Sequence, residues 1–565
     1  MTATTPPTAS PPPQGRHLRR DIGRVGLLFT GVGSIIGSGW LFGAMTAAQL
    51  AGPAAIFSWL IAGIMIIFIG LAFSELGTMF PVTGGVVRFP SYLWGGFASF
   101  SMGWITWVAA AVVPAIEVTG TLQYATKWYK FTEAHDVSGE TVHTLTGPGF
   151  VAAIVLLAAF CVINVVGVKL FAQINNVLVW WKLAVIIVVI VLFLVTAFNA
   201  INFTSHGFFL SPHEDNPGGF QAVFTAISTA GITFSYLGFR QGIELAGETK
   251  NPQKNVPFAV VGSVALCTLI YIGLQIAFIA AVDPAAISKS GGWPGLEFTN
   301  DFGPLAAIAG AIGLGWLAFV LYIDSVVSPG DTGLIYTAVA SRLGYTMSKS
   351  GNAPKSVAAL AKTGVPWVAT IITFIVSLIM LLPFPSWQQL VGLVTSATVM
   401  SFGAGPLAHS ALRRSQPERH RPFRLGGGDT IPFLAFFSAN LIIYWGGWST
   451  NWKFFVIILL GFVVMGIFMA TKVIDTSRME WKAGVSWIIP WLGGIALISF
   501  LGDYGDGLGV IPGLVGGVLV NLVWSAIIFW IAVRMRLPGH KTQEIIDRDR
   551  QQGDEVEAEE PAAAV

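Results

Sequence analysis

Gly33-Ser34-Ile35-Ile36-Gly37-Ser38-Gly39 lies in the middle of an apolar run from about Val25 to Leu50. A run of about 20 mostly apolar residues is long enough to span a bilayer as a helix. Glycine loses the most backbone entropy on ordering, so this cluster weakens the helix at its centre. In hydrocarbon an opened helix strands backbone N–H and C=O groups, and such a break persists only where those groups meet protein, water or a ligand. A broken membrane helix is therefore a candidate binding site: freed amides face an anion and freed carbonyls a cation. The competing reading is a small-residue face for close helix–helix packing.

The rest of the chain has a membrane composition. Of its 565 residues, 54% are hydrophobic and 11% charged, against about 25% charged in soluble proteins. The length thus implies many spans rather than many soluble domains. The net charge of +2 says little about partners. Cys161 and Cys267 both fall in apolar runs, so no disulfide framework is expected. No removable signal peptide is visible at the amino end.

About fourteen spans are expected, from 25–50 to 508–533, the eighth (304–340) interrupted by Ser328-Pro329-Gly330. Lys and Arg favour cytoplasmic loops. With the amino terminus inside, 25 of the 31 Lys and Arg fall in inside segments and four in outside loops. Only Lys182 and Arg240 remain within spans. Both termini are therefore expected to be cytoplasmic, and the arginines of 413–424 read as a topology anchor. The expected domains are a disordered tail at 1–24, a ten-helix transporter core at 25–412, four peripheral helices at 430–534 and a disordered charged tail at 535–565.

The sixth span also breaks near its middle, at Gly231-Ile232-Thr233-Phe234-Ser235-Tyr236-Leu237-Gly238-Phe239. Interrupted segments five spans apart point to an inverted-repeat transporter with a midplane site. Several motifs then resemble the amino acid–polyamine–organocation superfamily. They are the Gly33–Gly39 stretch, Ser74-Glu75-Leu76-Gly77-Thr78-Met79-Phe80-Pro81-Val82-Thr83-Gly84-Gly85, the loop Glu248 to Pro257, Ser341 to Lys355, and Arg421-Pro422-Phe423-Arg424. The resemblance implies an all-α polytopic protein with a leucine-transporter-like 5+5 inverted repeat and broken helices 1 and 6. It implies an amino acid bound between the breaks. The carboxylate would meet the amides of Ser38 and Gly39, and the ammonium the carbonyls near Ile35, Phe234 and Leu237. Ser34, Gly37, Ser235 and Gly238 would complete the site.

Ionisable residues at membrane depth are functional candidates by default. Lys182 sits about eleven residues into the fifth span, roughly 16 Å along a helix, too deep to snorkel easily. The resemblance places it beside helices 1 and 8, where sodium-coupled relatives hold an ion, and an ammonium there can substitute for sodium. A proton-motive force is thus expected to drive the protein, with no cofactor or metal. Asp324 and Asp331 are seven residues apart and share one face if span 8 continues. Asp331 then pairs with Lys182; if Pro329 breaks the span, Asp331 lies in a wet loop. Arg240 follows the second break. Its planar fork suits a second substrate carboxylate, or it pairs with Glu244 four residues on. Glu117 gates, carries a proton or pairs with helix 10. Glu75 supports the gate.

The expectation is a proton-coupled symporter of aspartate or glutamate, monomeric or homodimeric, in the cell membrane. An amino acid and the lipid bilayer are the expected partners, and no nucleic acid. The alternatives are an exchanger, a permease for neutral or aromatic amino acids, and a transporter-like sensor. No phosphate-binding loop, zinc pair or Cys-x-x-Cys points to an enzyme or an ATP-driven pump.

Overall fold

The computed structural model describes residues 22–80, 84–137, 140–166, 168–212, 217–246, 249–298, 303–383 and 386–559. The amino-terminal tail expected at 1–24 lies almost wholly outside the described residues. The helices are α1 Arg24–Ile35, α2 Gly39–Ala51, α3 Ala55–Met79, α4 Gly85–Ala125, α5 Gly147–Val166, α6 Val168–Thr196 and α7 Gly219–Thr229. They continue as α8 Gln241–Glu244, α9 Pro252–Ala281, α10 Pro284–Lys289, α11 Pro304–Ala311, α12 Gly315–Lys349 and α13 Trp367–Met380. The last are α14 Trp387–Ser415, α15 Thr430–Trp445, α16 Trp448–Ala470, α17 Trp481–Leu501, α18 Gly513–Arg534 and α19 Gly539–Glu559.

Among the described residues nine helices are long and apolar enough to cross a membrane, and α7 with the adjoining 3-10 turn forms a bent tenth. This count is below the fourteen spans expected. α13 and α15 have only 14 and 16 residues, and α12 carries Asp324, Asp331 and several hydroxyl side chains that lower its hydropathy.

α4 is the central post. α12 and α14 pack along it, while α3 packs on α9 and α1 on α9. α15 lies on α14 and α3, α16 and α17 reach α4, and α18 packs on α15 and α17. Val456, Leu459, Leu460, Val463 and Ile467 of α16 face outward, as suits a helix against lipid tails.

Three features depart from the sequence reading. A two-stranded antiparallel hairpin joins α4 to α5, pairing Thr132 with Leu145 through Val137 with Glu140, so the fold is not purely α. The strands, Thr-Glu-Ala-His-Asp-Val and Glu-Thr-Val-His-Thr-Leu, are rich in the β-branched residues that favour such pairing. Secondly, the segment 535–565, expected to be disordered, contains α19. Polar contacts and one deeply buried isoleucine, Ile546, hold it, which charge composition does not reveal. Thirdly, α12 runs through Ser328-Pro329-Gly330 without interruption. Proline removes one N–H from the ladder. The Ser325 carbonyl four residues earlier accepts instead from the Thr121 hydroxyl of α4 at 2.9 Å.

Candidate functional site

α1 ends at Ile35 and α2 begins at Gly39; Ile36 is extended, with φ −84° and ψ 97°. α7 ends at Thr229, Gly231 adopts φ 82°, and a 3-10 turn runs from Phe234 to Arg240 at a bend of 51°. The two breaks touch. A Cβ on Gly238 would fall 2.1 Å from the Ser34 carbonyl oxygen, and one on Gly39 would fall 2.1 Å from Ser235 Oγ. Only a residue without a side chain permits such an approach. Ser34, Ile35, Ser38, Phe234, Ser235 and Leu237 are all buried. The structure thus brings Ser34, Ile35, Gly39, Phe234, Ser235 and Gly238 together where the breaks touch, sets Gly37 and Ser38 beside Glu117, and leaves Leu237 and Arg240 further along the 3-10 turn.

The backbone groups freed in helix 1 find their partners on other helices. Lys182 Nζ of α6 donates to the Ile36 carbonyl at 2.9 Å and to the Gly33 carbonyl at 3.3 Å. It pairs with Asp331 Oδ2 of α12 at 2.6 Å, both side chains fully buried. Thr332 Oγ1 lies 3.5 Å from Nζ. Continuity of α12 therefore places Asp331 in the interior, and the wet-loop reading does not apply. A snorkelling Lys182 is likewise excluded by its 0% exposure. Burying two charges is costly, and only close pairing with further hydrogen bonds offsets the loss of water; the helix-1 carbonyls supply those bonds to the lysine.

Glu117 of α4 faces the same break from the other side. Its Oε2 accepts from the Ser38 amide at 2.9 Å. It therefore meets helix 1 rather than pairing with helix 10, because α4 turns this face toward the opened backbone. Ser38 is also held through its hydroxyl, which accepts from Trp387 Nε1 at 2.9 Å. Asp324 points toward α6, accepting from Trp181 Nε1 at 2.9 Å and Ser328 Oγ at 2.8 Å. The two aspartates do share a face, as their spacing required.

Helix 6 satisfies its break mainly with its own hydroxyls. Ser235 Oγ donates to the Gly231 carbonyl at 2.8 Å and Thr233 Oγ1 to the Ile227 carbonyl at 2.7 Å. The Tyr271 hydroxyl of α9 lies 3.4 Å from the carbonyls of both Ile35 and Ser235, spanning the two breaks. Arg240 is 7% exposed and borders two small cavities. One is lined by Thr106, Leu237, Gln241, Thr398 and Phe402, the other by Phe73, Phe80, Phe89 and Ile243. The Glu244 side chain, the rival partner for Arg240, lies outside the described residues.

Glu75 sits apart from the breaks, buried beneath the basic segment 413–424. It lies 3.1 Å from His409 Nε2 and 3.3 Å from Arg421 Nε. It also accepts from Arg413 Nε at 3.0 Å and from the Leu425 amide at 2.7 Å. Two arginines read as topology anchors thus clamp α14 and the loop after it to α3. Tyr271, Trp387, Thr332 and His409 were not singled out in the sequence. Each is one polar group within an apolar or mixed run, with no spacing that marks it.

A polytopic helical bundle in which two broken helices touch at their breaks, with a buried ion pair of α6 and α12 set against the first break, is the frame of a membrane transporter. The family model for amino acid permeases matches residues 26–421, and the chain belongs to that family. It is 39% identical over 521 residues to the glutamate/serine transporter AimA of Bacillus subtilis (strain 168), covering 91% of this chain and 93% of that relative. It is 33% identical over 508 residues to the aspartate-proton symporter of the same organism, covering 89% and 94%. The branched-chain amino acid permease BcaP of that organism is 28% identical over 471 residues, covering 80% and 93%. The family and these relatives are transporters, not enzymes, and the chain is a multi-pass membrane protein that handles amino acids.

Proposed function

We propose that the chain is a proton-coupled symporter of an acidic amino acid, working by alternating access. In this reading its fourteen spans form a leucine-transporter-like core of two inverted five-helix repeats and four peripheral helices. Both termini are cytoplasmic, and the protein sits in the cell membrane as a monomer or homodimer. The observation that carries the reading is the Lys182 ammonium, buried on the freed carbonyls of helix 1 and paired with Asp331. A protonated lysine ties α1 to α6 and α12; a neutral one loosens all three together. Protons rather than sodium then drive uptake, and Asp324 lies on the same face of α12.

Glu117 supplies the second half of the coupling. Its carboxylate occupies the Ser38 amide, where the substrate carboxylate is expected. Two carboxylates at one amide repel, so a proton on Glu117 favours substrate entry. Glu75 holds the gate at the basic face. Arg240 selects a second carboxylate, in keeping with relatives named for glutamate and aspartate. A second reading, acidic and small hydroxyl amino acids together, is favoured by the relative named for glutamate and serine.

The test is uptake by the purified protein in liposomes, comparing aspartate, glutamate, serine and leucine. An inward proton gradient is expected to concentrate aspartate or glutamate, and Glu117→Gln to flatten the pH dependence of their binding. Uptake that requires amino acid inside the vesicle would establish an exchanger, and binding without flux a sensor.

A further inference from the structure

α19 is a strongly charged helix at the end of the chain, and its placement is specific. Ile546 is 1% exposed and Thr542, four residues earlier on the same face, 0%. A mostly polar helix of this length is marginal on its own in water, so docking keeps it in place. It docks on three separate parts of the basic face. At the end of α14, Thr542 Oγ1 meets Ser415 Oγ at 2.8 Å, Gln416 Nε2 donates to the Gly539 carbonyl at 2.7 Å, and Arg419 Nη1 donates to Gln543 Oε1 at 3.2 Å. At the start of α4, Arg88 Nη1 lies 2.9 Å from Asp549 Oδ2 and the Tyr92 hydroxyl donates to the same oxygen. Lys541 reaches Glu480, before α17, at 3.0 Å.

Two of these partners also pack on the Phe80 ring. The Tyr92 ring lies 5.3 Å from the Phe80 ring, and the Arg419 guanidinium 4.5 Å above it. Phe80 and Phe89 line the cavity that Arg240 borders. The helix therefore ties the end of α14 to the start of α4 on either side of Phe80. A passage from the Arg240 cavity out past Phe80 would have to part these elements.

We propose that α19 is a strap: docked, it holds the basic-face end of the pathway closed, and its release sets the rate of opening. This rests on the transport reading, but the contacts that make it a strap do not. Its two ion pairs, Arg88–Asp549 and Lys541–Glu480, are partly exposed and therefore individually weak and screened by salt, as a reversible latch requires, while Ile546 and Thr542 give it a buried seat.

The experiment uses the full chain carrying Val86→Cys, a residue of the Phe80 cavity, in detergent, with labelling by a polar maleimide. The protein without Val86→Cys serves as the control for Cys161 and Cys267. Asp549→Ala is expected to speed labelling by about three- to tenfold, the shift that loss of a partly exposed polar contact makes in an open–closed equilibrium, and Ile546→Asp, which sets an unpaired carboxylate in the buried seat of α19, by at least as much. In liposomes the same variants raise the maximal uptake rate with little change in KM. Unchanged or slower labelling in a monodisperse Asp549→Ala protein overturns the strap and leaves α19 a stabilising clamp. If Ile546→Asp does not fold, Asp549→Ala decides alone. Labelling reports opening whatever the cargo, so an absence of uptake would count against the transport reading and not against the strap.

Discussion

The two broken helices are alike in being interrupted at glycines near their middle and unlike in how their backbones are satisfied. The helix-1 break leans on ionisable side chains from other elements, Lys182 from α6 and Glu117 from α4, with Asp331 of α12 paired to the lysine. The helix-6 break closes on its own hydroxyls, Thr233 and Ser235, and on the neutral Tyr271. Glycine-rich interruption is thus one device with two outcomes. Where charge completes the backbone, a proton can change the geometry; where hydroxyls complete it, the turn is a fixed wall. In the proposed mechanism the contrast gives proton response to helix 1 and shape to helix 6.

The strongest way to break this contrast is to remove the charge at helix 1. Lys182→Ala leaves Asp331 buried and unpaired, which costs about 3–5 kcal/mol. It should lower the thermal unfolding temperature and abolish proton-driven accumulation. Adding Asp331→Asn is expected to restore much of the stability but none of the coupling. A Lys182→Ala protein as stable as the parent would show that the pair does not hold the break.

Gly238→Ala tests the wall. Its Cβ would meet the Ser34 backbone carbonyl, which cannot rotate away, so overpacking of about 1–3 kcal/mol is expected. Gly39→Ala meets the Ser235 hydroxyl instead, which can turn, and should be milder in the same unfolding assay. Equal losses would mean that the two breaks do not approach as described.

Arg240→Ala asks whether helix 6 also reads charge in the substrate. Loss of a desolvated charge-assisted hydrogen bond should weaken aspartate and glutamate roughly 10- to 150-fold, and alanine or leucine much less, by competition in the uptake assay. Equal losses across acidic and neutral substrates would return Arg240 to a structural role. Glu244→Gln belongs beside it, since an arginine held only by Glu244 would lose its position and harm both classes alike.

The smallest effect is expected at Ser235→Ala. The lost hydroxyl bond to Gly231 contributes about 1 kcal/mol, so uptake should fall by no more than about fivefold with the pH profile unchanged. A shifted profile in this variant would place proton response at helix 6 as well and erase the contrast.

The sequence by itself determined the features that arise from local composition. Glycines at 31, 33, 37 and 39 inside a bilayer-length run mark where the helix is weakest, and the break falls among them at 36–38. The interruption at Gly231 repeats the signal five spans later. A lysine eleven residues into a span must face protein, since lipid offers it nothing. The seven-residue spacing of Asp324 and Asp331 placed both on one face. Tertiary structure decided which partner each group met. Pro329 reads as a breaker, and only Thr121 of a distant helix supplies the bond that lets α12 continue. Glu117 reads as a gate or a helix-10 partner, and only the lean of α4 brings it to the Ser38 amide. The arginines of 413–424 obey the charge rule, yet two of them bury Glu75. The charge pattern of 539–559 hides a docked helix. A span is legible because its cost is paid residue by residue along the chain; a partner is not, because it depends on which faces meet after the spans have packed.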